Sequence, residues 1–250
     1  MISSFVALLS ISIGGIPVYA DVLIPKRALI LYIPDNDGII VSYSKAVFEE
    51  LNKRTGINIK IYKLPSEQVL VNANNGNGDG VALRVINIEK QYSNLKRINV
   101  PIITVQHVLF VKKLHVANSV NDMTYLNELV VKNKFLVGYL KGSQKAESEL
   151  AKLSKENKVA LNNPMQAFQL LKIGEIDLYL AGPGITSRSI LNKYFHRSGI
   201  QELGIFSQFP LYPYLHKKHE KLMPLCEKAL KSMLDDGTLN KFRMSLELSA

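Results

Sequence analysis

The sequence predicts an α/β protein of two lobes, and three observations carry that expectation. Strands and helices alternate along almost the whole chain, the pattern of sheets covered by helices. A unit of amphipathic helix, Gly-x-x-Asp break and short apolar strand occurs twice. The first copy is Ser66–Asn74, Gly76-Asn-Gly-Asp79 and Val81–Leu83; the second is the helix from Pro164, Gly174-Glu-Ile-Asp177 and Leu178–Ala181. Each copy closes a similar strand–helix–strand series. The pattern restarts near Thr104, and an extended segment returns near Pro210, so two crossing strands are expected to join the lobes. In open α/β sheets ligands sit beyond the carboxyl ends of strands, and here two such edges would face each other across a cleft.

Ala28–Ile33 is continuously apolar, as a strand buried on both faces is. Pro34–Gly38 is a polar loop at its carboxyl end. Ser42 is expected to cap the following helix, with Ala46, Val47, the stem of Glu50 and Leu51 as its core face. Gly56 ends that helix, and Ile57–Tyr62 alternates as a second strand. The first Gly-x-x-Asp unit follows, then Lys96–Ile103. Beyond Thr104, Val105–Val111 reads as a strand, Asp122–Val131 as partly helical and Phe135–Leu140 as a buried strand. A helix is expected over Lys145–Glu156 and a short strand over Lys158–Leu161. After the second unit come a helix over Ile185–Phe195 and a Pro-punctuated extended segment, Gly204–Leu215. A helix over Glu220–Asp235, an Asp-Gly turn and a terminal helix from Thr238 close the chain.

With 47% hydrophobic and 21% charged residues among 250, the chain can bury a sizeable core. Residues 5–18 are apolar, broken by Gly14, Gly15 and Pro17, and Val18-Tyr-Ala20 places small residues as a signal-peptidase site requires. Residues 1–20 are therefore expected to be a secretory signal peptide and the mature chain to begin at Asp21 in the periplasm. No Lys or Arg precedes the apolar run, and a buried N-terminal helix is the alternative. No later stretch is long and apolar enough to span a bilayer. Cys226 falls on one helical face with Leu222, Ala229, Leu230 and Met233, a core position. No metal-ligand spacing occurs and no cofactor is implied. The net charge of +10 is dispersed, without a nucleic-acid-binding motif, and favours an anionic surface or an anionic ligand.

Three stretches resemble the periplasmic solute-binding proteins of the polar amino-acid type (family 3, class II), which serve ABC importers. They are Asp79-Gly-Val-Ala-Leu-Arg84 to Pro101, Val137–Gln144, and His219-Glu-Lys-Leu222 to Asp236-Gly-Thr-Leu239. The resemblance covers essentially the whole mature chain. It implies a class II periplasmic-binding-protein-like fold with a discontinuous first lobe, residues 21–104 and 210–250, and a second lobe, 105–209. It further implies a small-molecule solute, an ABC permease as partner, and a monomer. The departures bear on the ligand. The family's carboxylate-binding Arg corresponds to Gln91, and the small hydroxyl residues before it to Leu83, Arg84 and Ile86. The acidic residue that takes the ligand ammonium corresponds to Gly182. Losing both charges removes the charge-assisted contacts to a zwitterion, so ordinary α-amino acids are not expected to bind.

What remains is a set of candidates. Gly142, Ser143 and Gln144 open a helix, so backbone N–H groups and a hydroxyl would face the cleft, or Ser143 is a plain cap. Arg84 ends the first Gly-x-x-Asp strand, as a bidentate clamp for an anion or as a surface ion pair. Asp35 and Asn36 follow the first strand, at the cleft or in a simple turn. His107, His115, His196, His216 and His219 sit mostly on charged or linking segments and are expected at the surface, so no catalytic residue is assigned. Three functions compete: a binding module without chemistry, a sensor for a separate signalling partner, and an enzyme on the same fold.

Overall fold

The structure, a computed structural model, describes residues 23–35, 38–112 and 123–247. The expected signal peptide, Asn36 and His115 lie outside the described residues. In the first lobe β1 (Leu29–Pro34) lies between β2 (Ile59–Leu64) and β3 (Gly80–Arg84), parallel to both. β3 then pairs antiparallel with the C-terminal end of β9 (Ile200–His216), which also carries the short β4 (Leu95–Arg97). The second lobe repeats the order. There β6 (Val137–Leu140) lies between β7 (Lys158–Leu161) and β8 (Leu178–Ala181), parallel to both, and β8 pairs antiparallel with β5 (Ile103–Lys112). β5 and β9 pair with each other from Ile103–Leu211 to Lys112–Ile200, joining the halves as β2-β1-β3-β9-β5-β8-β6-β7.

The doubled Gly-x-x-Asp is a structural device. The Asp79 N–H donates to the Ile30 carbonyl at 2.7 Å, and Asp79 Oδ2 accepts the Ile30 N–H at 2.9 Å. In the second copy the Asp177 N–H donates to Leu136 O at 3.0 Å, and Asp177 Oδ2 accepts the Leu136 N–H at 2.8 Å. Each Asp thus clamps the start of the central strand beside it. The glycine before it supplies the left-handed backbone that turns the chain after the helix: φ is +81° at both Gly76 and Gly174.

Helices cover both faces. In the first lobe α1 (Gly38–Thr55), α7 (Met223–Asp235) and α8 (Thr238–Glu247) share one core, while α2 (Ser66–Asn74) fills the other side with Val69, Leu70 and Ala73. In the second lobe α5 (Pro164–Ile173) and α6 (Gly184–Tyr194) lie on one face, with α3 (Met123–Asn133) and α4 (Gln144–Glu149) on the other. Cys226 is buried with the four residues expected around it, and burial pushes its thiol up to about 12, which leaves it unreactive. The Asp236-Gly-Thr238 turn has a reason too. Arg54 at the end of α1 reaches Asp236 Oδ2 at 2.7 Å and Thr238 Oγ1 at 3.0 Å, tying α1 to the α7–α8 corner.

Several element boundaries differ from expectation: β9 starts at Ile200 and not Gly204, α7 starts at Met223 after a 3₁₀ segment and not at Glu220, and two others bear on the cleft. α1 begins at Gly38, so Ser42 is inside the helix, donating back to Gly38 O at 2.9 Å, and does not cap it. Its core face is accordingly Ile40, Val41, Tyr43, Ser44, Val47, Phe48, Leu51 and Thr55. The helix expected over Lys145–Glu156 stops at Glu149. Leu150 and Leu153 have helical spacing but are buried from a turn, with a 3₁₀ segment at Lys155–Asn157.

Candidate functional site

The carboxyl ends of β1 and β3 face those of β6 and β8 across a cavity of about 130 Å³. The first lobe contributes Ile33, Pro34, Leu83 and Arg84; the second contributes Leu140–Lys145, Gly182 and Pro183. Val105, His107, Phe209 and Leu211 of β5 and β9 line it between them. The lobes touch at the mouth. Lys141 Nζ lies 3.5 Å from Glu67 Oε1, and Gly142, at φ +76°, packs so close to Ser66 that an added Cβ would lie 2.8 Å from its Cβ.

Arg84 is the last residue of β3. Its Nη1 donates to its neighbour's carbonyl, Leu83 O, at 3.0 Å. Nε and Nη2 are closed off from solvent and have no hydrogen-bond partner among the described residues. Burial lowers the guanidinium pKa to about 10, so it remains a cation at neutral pH. The two unpaired groups, Nε and Nη2, are the side-on edge of the guanidinium, whose parallel N–H vectors match the two oxygens of a carboxylate. Gln144 adds a third buried polar atom without a partner among the described residues, Oε1.

Across the cavity His107 is only 3% exposed, with Nδ1 2.5 Å from Glu149 Oε2. Glu149 Oε1 lies 3.0 Å from Lys145 Nζ. Burial raises the Glu149 pKa, and the bonds from His107 and Lys145 outweigh it and hold the carboxyl below its usual range. The His107 ring stands edge-on to Phe209 at 4.7 Å, and Lys145 Nζ lies 5.7 Å from the same ring. The imidazole explains Gly182: a Cβ there would lie 2.1 Å from His107 Cδ2. Gly182→Ala is therefore expected to cost about 1–3 kcal/mol through overpacking. Urea denaturation checks this; an unchanged midpoint would show that the ring moves aside freely.

Of the residues singled out in the sequence, Arg84, Gly142, Ser143, Gln144 and Gly182 come together around the cavity. Ser143 Oγ accepts the Ala146 N–H at 3.4 Å, so it caps α4, and that helix is only six residues long. Asp35 is exposed in the turn after β1, its N–H donating to Leu64 O at 3.1 Å, and does not line the cavity. Gln91 is exposed at the end of the 3₁₀ turn Ile88–Lys90 and is likewise outside the cavity, because that turn carries the chain away from the end of β3. The expectation of surface histidines fails at His107 and His216, both buried, and at His219, whose Nε2 is 2.6 Å from Asp79 Oδ1. The signal for His107 was a lone imidazole in an apolar strand, which must be buried and therefore partnered. Its partner Glu149 is far away in sequence and gave no signal.

No protein-family model matches the chain. It is 22% identical over 228 residues to an uncharacterized protein of Shewanella oneidensis, covering 90% of this chain and 83% of that protein. Among solved structures it superposes on an ancestral arginine-binding protein bound to arginine with a TM-score of 0.71 and 19% identity, covering 88% of this chain and 97% of the other. The arginine-, lysine-, histidine-binding protein ArtJ of Geobacillus stearothermophilus gives 0.69 at 11% identity, over 88% and 95% of the two chains. The periplasmic VFT2 domain of Bordetella pertussis BvgS gives 0.64 at 17%, over 85% and 91%. These superpositions, with two lobes and a cleft between them, give this chain the class II periplasmic-binding-protein-like fold.

Proposed function

We propose that the chain is an extracytoplasmic solute-binding module whose lobes, residues 21–104 with 210–250 and residues 105–209, close on a small anionic solute without chemical turnover. The observation that carries this is the Arg84 side-on edge, buried and unpaired between the lobes. A desolvated cation with unsatisfied N–H groups is destabilising unless a ligand supplies the counter-charge. Lys141 and Lys145 line the same cavity with the same sign, and the overall charge of +10 would draw an anion toward it. The apolar run before Ala20 supports export, and likeness to an amino acid ABC transporter substrate-binding protein of Streptococcus pneumoniae supports an ABC permease as partner. Likeness to the BvgS VFT2 domain favours a second reading, a sensor acting on a separate signalling partner. Among the described residues no helix is long and apolar enough to cross a membrane.

A thermal-shift screen of the purified protein and of Arg84→Ala tests the proposal. An anionic solute at about a hundred times its Kd should stabilise the wild type by about 2.7 kcal/mol and the variant by only about 0.4–1.4 kcal/mol, as a tenfold to hundredfold weaker Kd gives. Equal stabilisation of both proteins, or a response to cationic solutes alone, would reject it.

A further inference from the structure

We infer that the solute is a short hydroxy- or oxo-carboxylate and not an amino acid: its carboxylate takes the Nε/Nη2 edge of Arg84, and a neutral oxygen meets Gln144 and His107. The inference rests on the anion-binding reading above and narrows it to one chemical class. Three features carry it.

The first is the shape of the unpaired edge. Nη1 is occupied by Leu83 O, which leaves Nε and Nη2 as two adjacent, parallel donors. A planar carboxylate satisfies both at once.

The second is that, among the described residues lining the cavity, no free carboxylate receives an ammonium. Two carboxylates beside lining residues are already committed: Glu149 to His107 at 2.5 Å and Lys145 at 3.0 Å, and Glu67 to Lys141 at 3.5 Å at the mouth. Position 182, where an acidic side chain would have to enter, is filled by the His107 ring. An ammonium placed here would be desolvated beside Arg84, Lys141 and Lys145, with no free counter-charge among the described lining residues.

The third is the neutral polar pair. Gln144 Oε1 is buried without a partner, and its amide can present either the oxygen or the NH₂ to a ligand. With Nδ1 directed at Glu149, the His107 ring presents Nε2 beside Gly182, as a donor or an acceptor according to its protonation. A hydroxyl or carbonyl satisfies such groups, while Ile33, Leu83, Leu140 and Phe209 leave the rest of the ligand apolar. At about 130 Å³ the cavity is smaller than the ~300–1,000 Å³ of sites for drug-sized ligands, so the chain is short.

The test is an isosteric series titrated calorimetrically at neutral pH: 2-hydroxybutyrate, 2-oxobutyrate, butyrate and 2-aminobutyrate, with inorganic phosphate beside them. The hydroxy or oxo acid should bind about tenfold or more tighter than butyrate, and about a hundredfold or more tighter than 2-aminobutyrate. Gln144→Leu should narrow the gap between 2-hydroxybutyrate and butyrate. Binding of 2-aminobutyrate as tight as that of 2-hydroxybutyrate would overturn the inference, as would equal affinity for butyrate or no binding of any carboxylate. Phosphate binding alone, lost in Arg84→Ala, would overturn the carboxylate class yet leave the anion-binding reading standing. Ligand binding that Arg84→Ala leaves intact would sink that reading itself.

Discussion

Asp79→Ala is expected to lower the stability of the protein by about 3–5 kcal/mol, a large part of the ~5–15 kcal/mol that a domain has. The carboxylate is 2% exposed and gathers four partners. Arg27 forks onto it with two bonds of 2.7 Å, Lys218 Nζ lies at 3.1 Å, His219 Nε2 at 2.6 Å, and the Ile30 N–H donates at 2.9 Å. It thus ties the segment before β1, the central strand itself and the chain leaving β9 to one point. Removing it strands a backbone N–H and three cationic or polar side chains, and breaking such a cluster from one side is the costly way to break it. The matching Asp177→Ala should cost less, about 1–2 kcal/mol. There the clamp on Leu136 is present without a cationic partner among the described residues.

The same cluster sets a pH dependence. Burial raises the Asp79 pKa, but the bonds from Arg27, Ile30, His219 and Lys218 outweigh it and hold the carboxyl far below its usual range. A carboxyl whose folded pKa is depressed contributes its full stability above the unfolded value, about 3.9, and loses it as pH falls toward the folded value. Wild-type stability should therefore decline progressively from about pH 5 downward, and the decline should be much shallower in Asp79→Ala. Denaturant melts at neutral pH and at about pH 3 would show it; parallel losses in both proteins would assign the acid lability elsewhere.

How much of this was legible in the sequence follows from what kind of information each feature needs. The doubled helix, Gly-x-x-Asp and strand could be read because every part of it is local: apolar spacing, a glycine that permits positive φ, an Asp beside a strand. The long β9 could be read only as an extended segment. That its two ends serve different lobes depends on pairing with β3 and β5, which are distant in sequence. The site divided in the same way. Arg84 was visible because strand ends in such folds point into clefts, whereas Gln91, placed by counting residues from a resemblance, lies outside once the turn after β3 is seen. The His107–Glu149 pair joins β5 to α4 across 42 residues. Nothing along the chain links the two, although together they explain why residue 182 has no side chain.

Arg84→Met should move stability and affinity in opposite directions, and this separates an anion anchor from a structural arginine. The guanidinium is desolvated, with two N–H groups unpaired and no carboxylate against it among the described residues. Replacing such a charge by an apolar chain of similar length removes the desolvation penalty and keeps the packing of the stem. The ligand-free variant should therefore be more stable than the wild type by about 1–3 kcal/mol. The gain should fade with rising pH, because burial depresses the Arg84 pKa to about 10 and the charged form is the one that burial penalises. Affinity for the anionic solute should fall by about 1.5–3 kcal/mol, roughly tenfold to a hundredfold in Kd, as the bidentate charge-assisted contact is lost. Thermal melts without ligand, set beside calorimetric titration with 2-hydroxybutyrate, measure both arms. A variant that melts lower than the wild type would mean that Arg84 supports the fold, and one that melts higher but binds as tightly would mean that the solute is held elsewhere in the cleft.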